Sequence, residues 1–249
     1  MTLLLLFVAY AVLLNLGLWR AAYRPAAGVS SPQPRPRPRP RRILIIGATG
    51  GTGRQLVAQA LERGFEVTAL VRDPERLRLD HPHLTVAQGD VLDAASIDAV
   101  MQGQEAVVSA LGHKRFLGPT SILSRGTANI LHSMKSHGVR SFVCETSLGI
   151  GDSAGRMGLY YSLFVIPVIL PFYYWDKTRQ EQRIASSGSE WVIVRPGALN
   201  NGPRRDRIRR GRVGGFLGTA RISRADVAAF MLDQLESDQY VGAAPGICW

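Results

Sequence analysis

The sequence predicts an α/β domain built on a doubly wound parallel sheet, with a transmembrane helix before it. Three observations carry this prediction. From residue 42 onward, short apolar runs alternate with amphipathic segments; a glycine-rich stretch follows the first run; and the first 19 residues contain no charged side chain. Alternation of this kind is typical of parallel strands joined by crossover helices. With 249 residues, the chain is long enough for one such domain.

The uncharged stretch from Met1 to Trp19 is interpreted as a membrane anchor. As a helix it would span roughly 28 Å, close to the hydrocarbon thickness of a bilayer. A cleaved signal peptide is the alternative, but a basic region before the apolar run and a small-residue cleavage site after it are both missing. Arginines follow the stretch directly, so the positive-inside rule predicts a single-pass protein whose folded domain faces the cytoplasm.

Residues 20–41 are predicted to form a Pro/Arg-rich linker. Proline and arginine alternate there, and each proline fixes φ and removes a donor, so an extended spacer is expected. The formal net charge of the chain is +11, and it is concentrated in this segment and in RRDRIRRGR at 204–212. Without a basic helix carrying interleaved aromatic residues, this pattern argues against nucleic-acid binding. The second cluster either binds an acidic group or anionic lipid, or is a solvated loop.

Six apolar runs are the predicted strands of the domain at 42–249. Their sequences are RILIIG, EVTALV, LTVAQG, AVVSAL, SFVCET and WVIVRP. Helices are predicted over Arg54–Arg63 and Thr120–His137, where the apolar residues fall on one face. A second uncharged stretch, Met157–Trp175, is interrupted by two prolines. We interpret it as a wall of the substrate pocket or a surface dipping into the bilayer, rather than a second span.

The stretch IIGATGGTGRQL places a G-x-x-G-x-x-G pattern between the first strand and the first helix of the domain. Glycines let the chain turn tightly and let a pyrophosphate approach the backbone amides, while the helix N-terminus adds partial positive charge. A tight strand–helix connection without a ligand is the alternative reading. The residues predicted to bind the cofactor here are Gly47, Thr49, Gly50, Gly51, Thr52, Gly53 and Arg54.

The end of the second strand predicts which dinucleotide is bound. An acidic residue at this place usually binds the ribose hydroxyls of NAD, whereas here the first residue after the strand is Arg72. A guanidinium suits a 2′-phosphate, so NADP(H) is favoured over NAD(H). Asp73 follows directly and is compatible with the opposite preference.

Eight motifs follow one another along the domain: GATGGTG, VRDPERL, GDVLD, VVSALG, ETSLG, DKTRQE, VIVRPG and ISRADVAAFML. Taken together, they resemble those of the atypical short-chain dehydrogenase/reductases. The chain is similar to their NAD(P)H-binding, NmrA-like group, and most of all to the branch that contains biliverdin reductase B, the NADPH-dependent flavin reductase. The likeness covers nearly all of residues 42–249 and does not include the first 41.

This resemblance implies a Rossmann-type fold and further cofactor contacts. It implies that Asp90 and Val91 flank the adenine, although Asp90 is also consistent with a simple turn residue. It implies that Pro196 lies near the nicotinamide. The residues that it implies along the cofactor beside the fourth strand are Ala110, Leu111 and Gly112.

A Ser, Tyr and Lys set is the usual catalytic machinery of short-chain reductases, where the tyrosine gives a proton to a carbonyl and the lysine holds the ribose. Tyr173 and Lys177 are one helical turn apart, and Ser147 ends the fifth strand, so these three are the candidate catalytic residues. If the flavin-reductase likeness is the better guide, catalysis instead rests mostly on proximity. His113 either lies over the same pocket or is a solvated loop residue.

The resulting hypothesis is a membrane-anchored NADPH-dependent oxidoreductase that transfers hydride to a flat apolar acceptor such as a flavin, quinone or tetrapyrrole. A non-catalytic NADP(H) sensor or assembly factor of the NmrA-like type is the alternative. Two distant cysteines, Cys144 and Cys248, show no metal-binding spacing, so no metal is expected. The pattern leaves the oligomeric state open.

Overall fold

The computed structural model describes residues 2–21, 35–113, 115–116 and 118–249. Ten strands and six α-helices lie within these ranges. The strands are β1 (Arg42–Ile46), β2 (Glu66–Val71), β3 (Leu84–Gln88), β4 (Ala106–Ser109), β5 (Ser141–Glu145), β6 (Glu190–Pro196), β7 (Ala198–Asn200), β8 (Arg209–Gly211), β9 (Arg221–Ser223) and β10 (Gly246–Cys248). The helices are α1 (Thr2–Ala21), α2 (Gly51–Glu62), α3 (Ala94–Met101), α4 (Ile122–Ser136), α5 (Pro171–Ala185) and α6 (Arg224–Asp233).

The main sheet confirms the predicted doubly wound architecture. Its order is β3-β2-β1-β4-β5-β6-β10-β8, and all pairs are parallel except the antiparallel pair of β10 and β8. The chain builds outward from β1 in one direction and then returns to build outward from β4 in the other. Ligands bind at the carboxyl ends of the strands where such a reversal occurs. The six predicted strands are β1 to β6, whereas the short strands β7 to β10 were not predicted.

Alternating side chains of β1 divide the core into two layers. Ile43 and Ile45 face a cluster that includes Leu56 of α2 and residues of α6, while Leu44 and Ile46 face a cluster on the side of α3, α4 and α5. These four residues are fully buried. A strand buried on both faces has a continuous apolar sequence, which is why residues 43–46 (ILII) are all hydrophobic, after the exposed Arg42.

The prediction of a transmembrane helix at residues 1–19 is wrong. No helix in the described part of the chain combines the length and the apolar character that a membrane crossing needs. Instead, α1 packs on the domain: Leu18 is fully buried in a cluster with Ile150, Ile166 and Tyr174. The predictions of a single-pass anchor and of a domain facing the cytoplasm depended on this helix, so they are wrong as well. An apolar run that packs on protein has the same composition as one that packs on lipid, so the sequence alone did not distinguish the two.

Polar contacts fix α1 on the second uncharged stretch. Asn15 Nδ2 donates a hydrogen bond to the carbonyl oxygen of Ser162 at 2.8 Å, and the Tyr10 hydroxyl donates to that of Pro167 at 3.1 Å. Both acceptors belong to a π-helical segment, Tyr161–Ile169, that runs into α5. The apolar stretch that the sequence assigned to a pocket wall or a bilayer surface therefore has α1 as a packing partner.

The predicted linker lies partly outside the described residues, which omit 22–34. Its last part contacts the domain. Pro36 forms an isolated antiparallel bridge with Ser237, and the Arg39 guanidinium lies 4.3 Å from the ring centroid of Phe65.

We expect Leu18→Ala to lower the free energy of unfolding by about 2–4 kcal/mol, because it removes a fully buried side chain and leaves a cavity. Urea unfolding of the full chain measures the change. Leu16→Ala is the matched control, since Leu16 on the same helix is 47% exposed and its loss should cost about 0.5 kcal/mol or less. Equal effects of the two substitutions would show that α1 does not pack as described.

Candidate functional site

A cleft of about 820 Å³ opens at the carboxyl ends of β1, β2, β4 and β5. Its lining joins the glycine-rich turn after β1, the ends of β2 and β3, the loop after β4, and the first turns of α5. These segments are distant in sequence and meet because the strands are parallel. The cleft therefore lies where the direction of winding reverses, as this type of sheet predicts.

Close backbone approach shapes the glycine-rich turn. Gly47 has a φ of +79°, and a Cβ there would lie 2.5 Å from the carbonyl oxygen of Ala110. A Cβ at Gly53 would lie 2.0 Å from the carbonyl oxygen of Gly47. The helix α2 starts directly after this turn; its N-cap, Gly50, makes no side-chain hydrogen bond, and its first turn has no acid. The first backbone amides of α2 are thus left for an anion, which fits the diphosphate of a dinucleotide.

Most of the predicted cofactor residues lie together in the cleft. Those that line it are Gly47, Thr49, Gly50, Gly51, Thr52, Arg72, Asp90, Val91, Ala110, Leu111 and Gly112. Gly53, Arg54 and Pro196 do not belong to this lining. Gly53 packs against the turn, Arg54 donates hydrogen bonds to the carbonyl oxygens of Thr49 and Arg76, and Pro196 is buried in β6.

Two arginines face the part of the cleft beside β2. Arg72 follows the strand, and Arg76 lies one short 3-10 turn later; both are exposed and line the cleft. The Asp73 carboxylate accepts a hydrogen bond from the Glu75 amide at 3.2 Å and so caps that turn. Arg76 was not predicted, although its position in VRDPERL could have identified it. Asp90 accepts from the Leu92 amide at 2.9 Å, so it also stabilises a turn.

The predicted catalytic set is only partly brought together. Tyr173 and the buried Lys177 line the cleft, with the lysine Nζ 5.2 Å from the tyrosine ring centroid. Ser147, by contrast, has its Oγ 2.9 Å from the hydroxyl of Tyr174. Tyr174 is buried, which raises the pKa of its hydroxyl, and it also donates to the carbonyl oxygen of Leu148. The serine is therefore coupled to the neighbouring tyrosine, not to Tyr173.

Two aromatic side chains, His113 and Tyr173, line one end of the cleft, and Phe116 packs beside them. The rings of His113 and Phe116 pack edge-on against Tyr173, with centroids 4.9 and 5.8 Å away. His113 Nδ1 accepts a hydrogen bond from the Arg115 amide at 3.1 Å, so the neutral ring carries its proton on Nε2. That Nε2 is buried and has no hydrogen-bond partner within the described residues. Burial lowers the pKa of His113; the Asp176 charge opposes this shift, whereas the charges of Lys177 and Arg115 add to it.

The floor of the cleft contains two residues that the sequence did not single out, Glu145 and Thr146. Glu145 is buried and accepts a hydrogen bond from the Thr52 hydroxyl at 3.1 Å. Burial raises the pKa of Glu145, while Lys177, Thr52 and Arg224 act against this rise. Both residues precede Ser147 at the end of a predicted strand, which was the available signal.

A buried ion pair positions α5 beside this floor. Arg195 of β6 binds both carboxylate oxygens of Glu181, at 3.0 and 2.6 Å, and also pairs with Asp152. Glu181 in turn accepts a hydrogen bond from the Thr146 hydroxyl at 2.7 Å. The arginine of VIVRPG thus fixes the helix that carries Tyr173 and Lys177.

Comparison with known proteins gives a consistent result. The model of a family described as NAD(P)H-binding matches residues 47–238. An uncharacterised chloroplastic protein of Arabidopsis thaliana is 31% identical over 177 residues, which are 65% of this chain and 60% of that protein. The chain therefore spans less than two thirds of the length of this curated relative.

Solved structures with a similar fold include the following two. A Rossmann-fold NAD(P)-binding family protein from Shigella flexneri has a TM-score of 0.62 and 26% identity, covering 83% of this chain and 92% of its own. An anaerobillin reductase from Escherichia coli O157:H7 has a TM-score of 0.69 and 21% identity, covering 83% of this chain and 96% of its own. At this identity, the second likeness is one of fold.

Glu145 predicts a specific pH dependence of stability. Its pKa is raised above 4.5 in the folded domain, so the unfolded chain loses this proton at lower pH than the native state does. The ionised carboxyl therefore destabilises the fold as pH rises above about 4.5. We expect Glu145→Gln to gain stability relative to the wild type between pH 4 and pH 7, measured by urea unfolding.

Glu62→Gln is the control for the change in net charge, because Glu62 is exposed. A stability difference between Glu145→Gln and the wild type that stays constant from pH 4 to pH 7 would contradict the burial of this carboxyl.

Proposed function

The chain belongs to the NAD(P)H-binding family, and from this premise we propose that it is an NADPH-dependent oxidoreductase acting on a flat, apolar acceptor. The family match confirms the resemblance identified in the sequence. The observation that supports the proposal is a cleft that joins an anion-ready glycine turn at one end to an aromatic wall with a buried lysine at the other. Such a cleft suits a dinucleotide laid along the strand ends.

Charge distribution supports NADPH over NADH as the preferred cofactor. With the diphosphate at the glycine turn, the adenosine ribose falls at the end of β2, where Arg72 and Arg76 line the cleft. Guanidinium groups suit a 2′-phosphate. Asp73, which could have bound the ribose hydroxyls of NADH, is engaged in capping the 3-10 turn.

The nicotinamide end is proposed to lie beside Tyr173 and Lys177. A bound NADPH would supply the hydride. The Tyr173 hydroxyl points to the cleft wall, where a Cβ on Gly112 would lie 3.7 Å from it, and is the proposed proton donor. The buried Lys177 ammonium is proposed to hold the ribose. Ser147 lies outside the cleft lining with its hydroxyl bonded to that of Tyr174, so no contact with the acceptor is proposed for it.

A planar acceptor fits the aromatic end of the cleft. The rings of His113, Phe116 and Tyr173 offer edges and faces against which a flat conjugated molecule stacks. The unpartnered His113 Nε2 supplies a hydrogen-bond donor for an acceptor oxygen. A bilin, which the name of the anaerobillin reductase indicates as its substrate, belongs to this class of molecule.

The direct test uses the full chain with NADPH and a panel of flavin, quinone and biliverdin, following absorbance at the nicotinamide band. Oxidation with at least one acceptor is expected. Dinucleotide binding without oxidation of NADPH by any acceptor would overturn the reductase proposal and favour the NADP(H) sensor.

Arg72→Gln should weaken NADPH binding about tenfold and leave NADH binding unchanged, because only NADPH carries the 2′-phosphate. Fluorescence titration with both dinucleotides measures this. Arg78→Gln is the matched control, since the Arg78 side chain is 81% exposed and does not line the cleft. An equal loss for NADH and NADPH would contradict this assignment.

Tyr173→Phe should lower kcat about a hundredfold with little change in KM, since a positioned proton donor contributes at least that much. Lys177→Met should raise KM for NADPH as well. Tyr160→Phe is the control, because Tyr160 is 62% exposed. If Tyr173→Phe and Lys177→Met both turn over like the wild type, the proton relay is wrong and proximity alone carries the reaction.

A further inference from the structure

Arg224 begins α6 and extends back across the glycine-rich turn. Its helix is capped by Ser223, whose hydroxyl accepts a hydrogen bond from the Asp226 amide at 3.0 Å. A Cβ built on Gly51 would lie 2.5 Å from both Cδ and Nε of Arg224. The arginine therefore lies directly on the first residue of α2, in space that is open only because residue 51 is glycine.

The guanidinium of Arg224 is exposed to the cleft and not neutralised. It lines the cleft, and its Nη1 donates a hydrogen bond to the neutral side chain of Asn201 at 2.7 Å. Within the described residues no carboxylate forms an ion pair with it, whereas the buried Arg195 of β6 pairs with Asp152 and Glu181. Glu145 is near enough to sense its charge but binds Thr52 instead.

Two sources of positive potential thus meet at one point. The first amides of α2 lie on one side of the turn, and the Arg224 guanidinium lies over Gly51 on the other. A guanidinium offers a planar fork of donors that matches two phosphate oxygens. We propose that Arg224 binds the diphosphate of the dinucleotide, closing over the glycine turn from α6. This inference rests on the proposed function and assigns to that site a residue outside the glycine motif.

This position separates Arg224 from the arginines beside β2. The diphosphate is common to NADPH and NADH, whereas the 2′-phosphate is not. Loss of Arg224 therefore weakens both dinucleotides equally, and loss of Arg72 distinguishes them.

The test is fluorescence titration of the full-length Arg224→Gln variant with NADPH and with NADH. We expect about a tenfold rise in Kd for each, as for loss of a charge-assisted hydrogen bond. Arg224→Lys, which keeps the charge without the fork, should recover part of the affinity. Arg221→Gln is the matched control, because Arg221 is exposed on β9 and lies outside the cleft lining.

The outcomes separate the two proposals. If the wild-type chain binds the dinucleotides and Arg224→Gln binds them as well as the wild type, the inference about Arg224 is overturned alone. If the wild-type chain binds neither dinucleotide, the proposed function itself is overturned. A loss confined to NADPH would place Arg224 at the 2′-phosphate and would also overturn the inference.

Gly51 provides an independent test through a double-mutant cycle. Gly51→Ala places a methyl group where Arg224 now lies, and alanine is the better helix former, so the variant should fold. We expect about a tenfold loss of affinity for both dinucleotides in the wild-type background and little further loss in Arg224→Gln. Equal losses in both backgrounds would show that the methyl group blocks the ligand directly, and would contradict a role of Gly51 in seating Arg224.

Discussion

The close contact between the turn after β1 and the backbone around it is the constraint on which the site depends. Gly53 can pack against the carbonyl oxygen of Gly47 only because Gly53 carries no Cβ. Gly47 has a φ of +79° and lies where a Cβ would clash with the Ala110 carbonyl. This contact places the start of α2 at the carboxyl edge of the sheet. The free amides of the helix, the end of β2 and the loop after β4 then share one cleft, so that a local steric condition determines a binding geometry.

The rest of the domain keeps this edge rigid. Parallel pairing of β1 with β2 and β4 brings three strand ends to the same level, and the alternating side chains of β1 tie both helical layers to it. On the far side, the buried pair of Arg195 and Glu181 fixes α5 to β6. Removing one partner of such a pair leaves a buried charge, so the cost is high and the helix is held in one register. That register presents Tyr173 and Lys177 to the cleft.

Much of this arrangement could be predicted from the sequence, and the failures have physical causes. The six strands and the glycine turn were predictable because apolar runs and glycine spacing are local signals. The hydrogen bond of Ser147 to Tyr174 could not be predicted. Tyr173 and Tyr174 are adjacent in the sequence, and only packing decides which of them faces the cleft and which faces the core. Arg224 was also missed, since nothing local distinguishes an arginine that crosses to another element from one that points into water.

The N-terminal helix illustrates how a misread segment contributes to the same geometry. Leu18 shares a buried cluster with Tyr174, and Tyr173 packs against the edge of that cluster. Tyr174 is in turn the hydrogen-bond partner of Ser147 at the end of β5. The apolar residues that suggested a lipid environment therefore cover the start of α5, the helix from which the tyrosine and lysine project. Because the first turns of a helix have few internal hydrogen bonds, packing there determines where its side chains point. The apolar residues of α1 are consequently part of the packing that presents Tyr173 and Lys177 to the cleft.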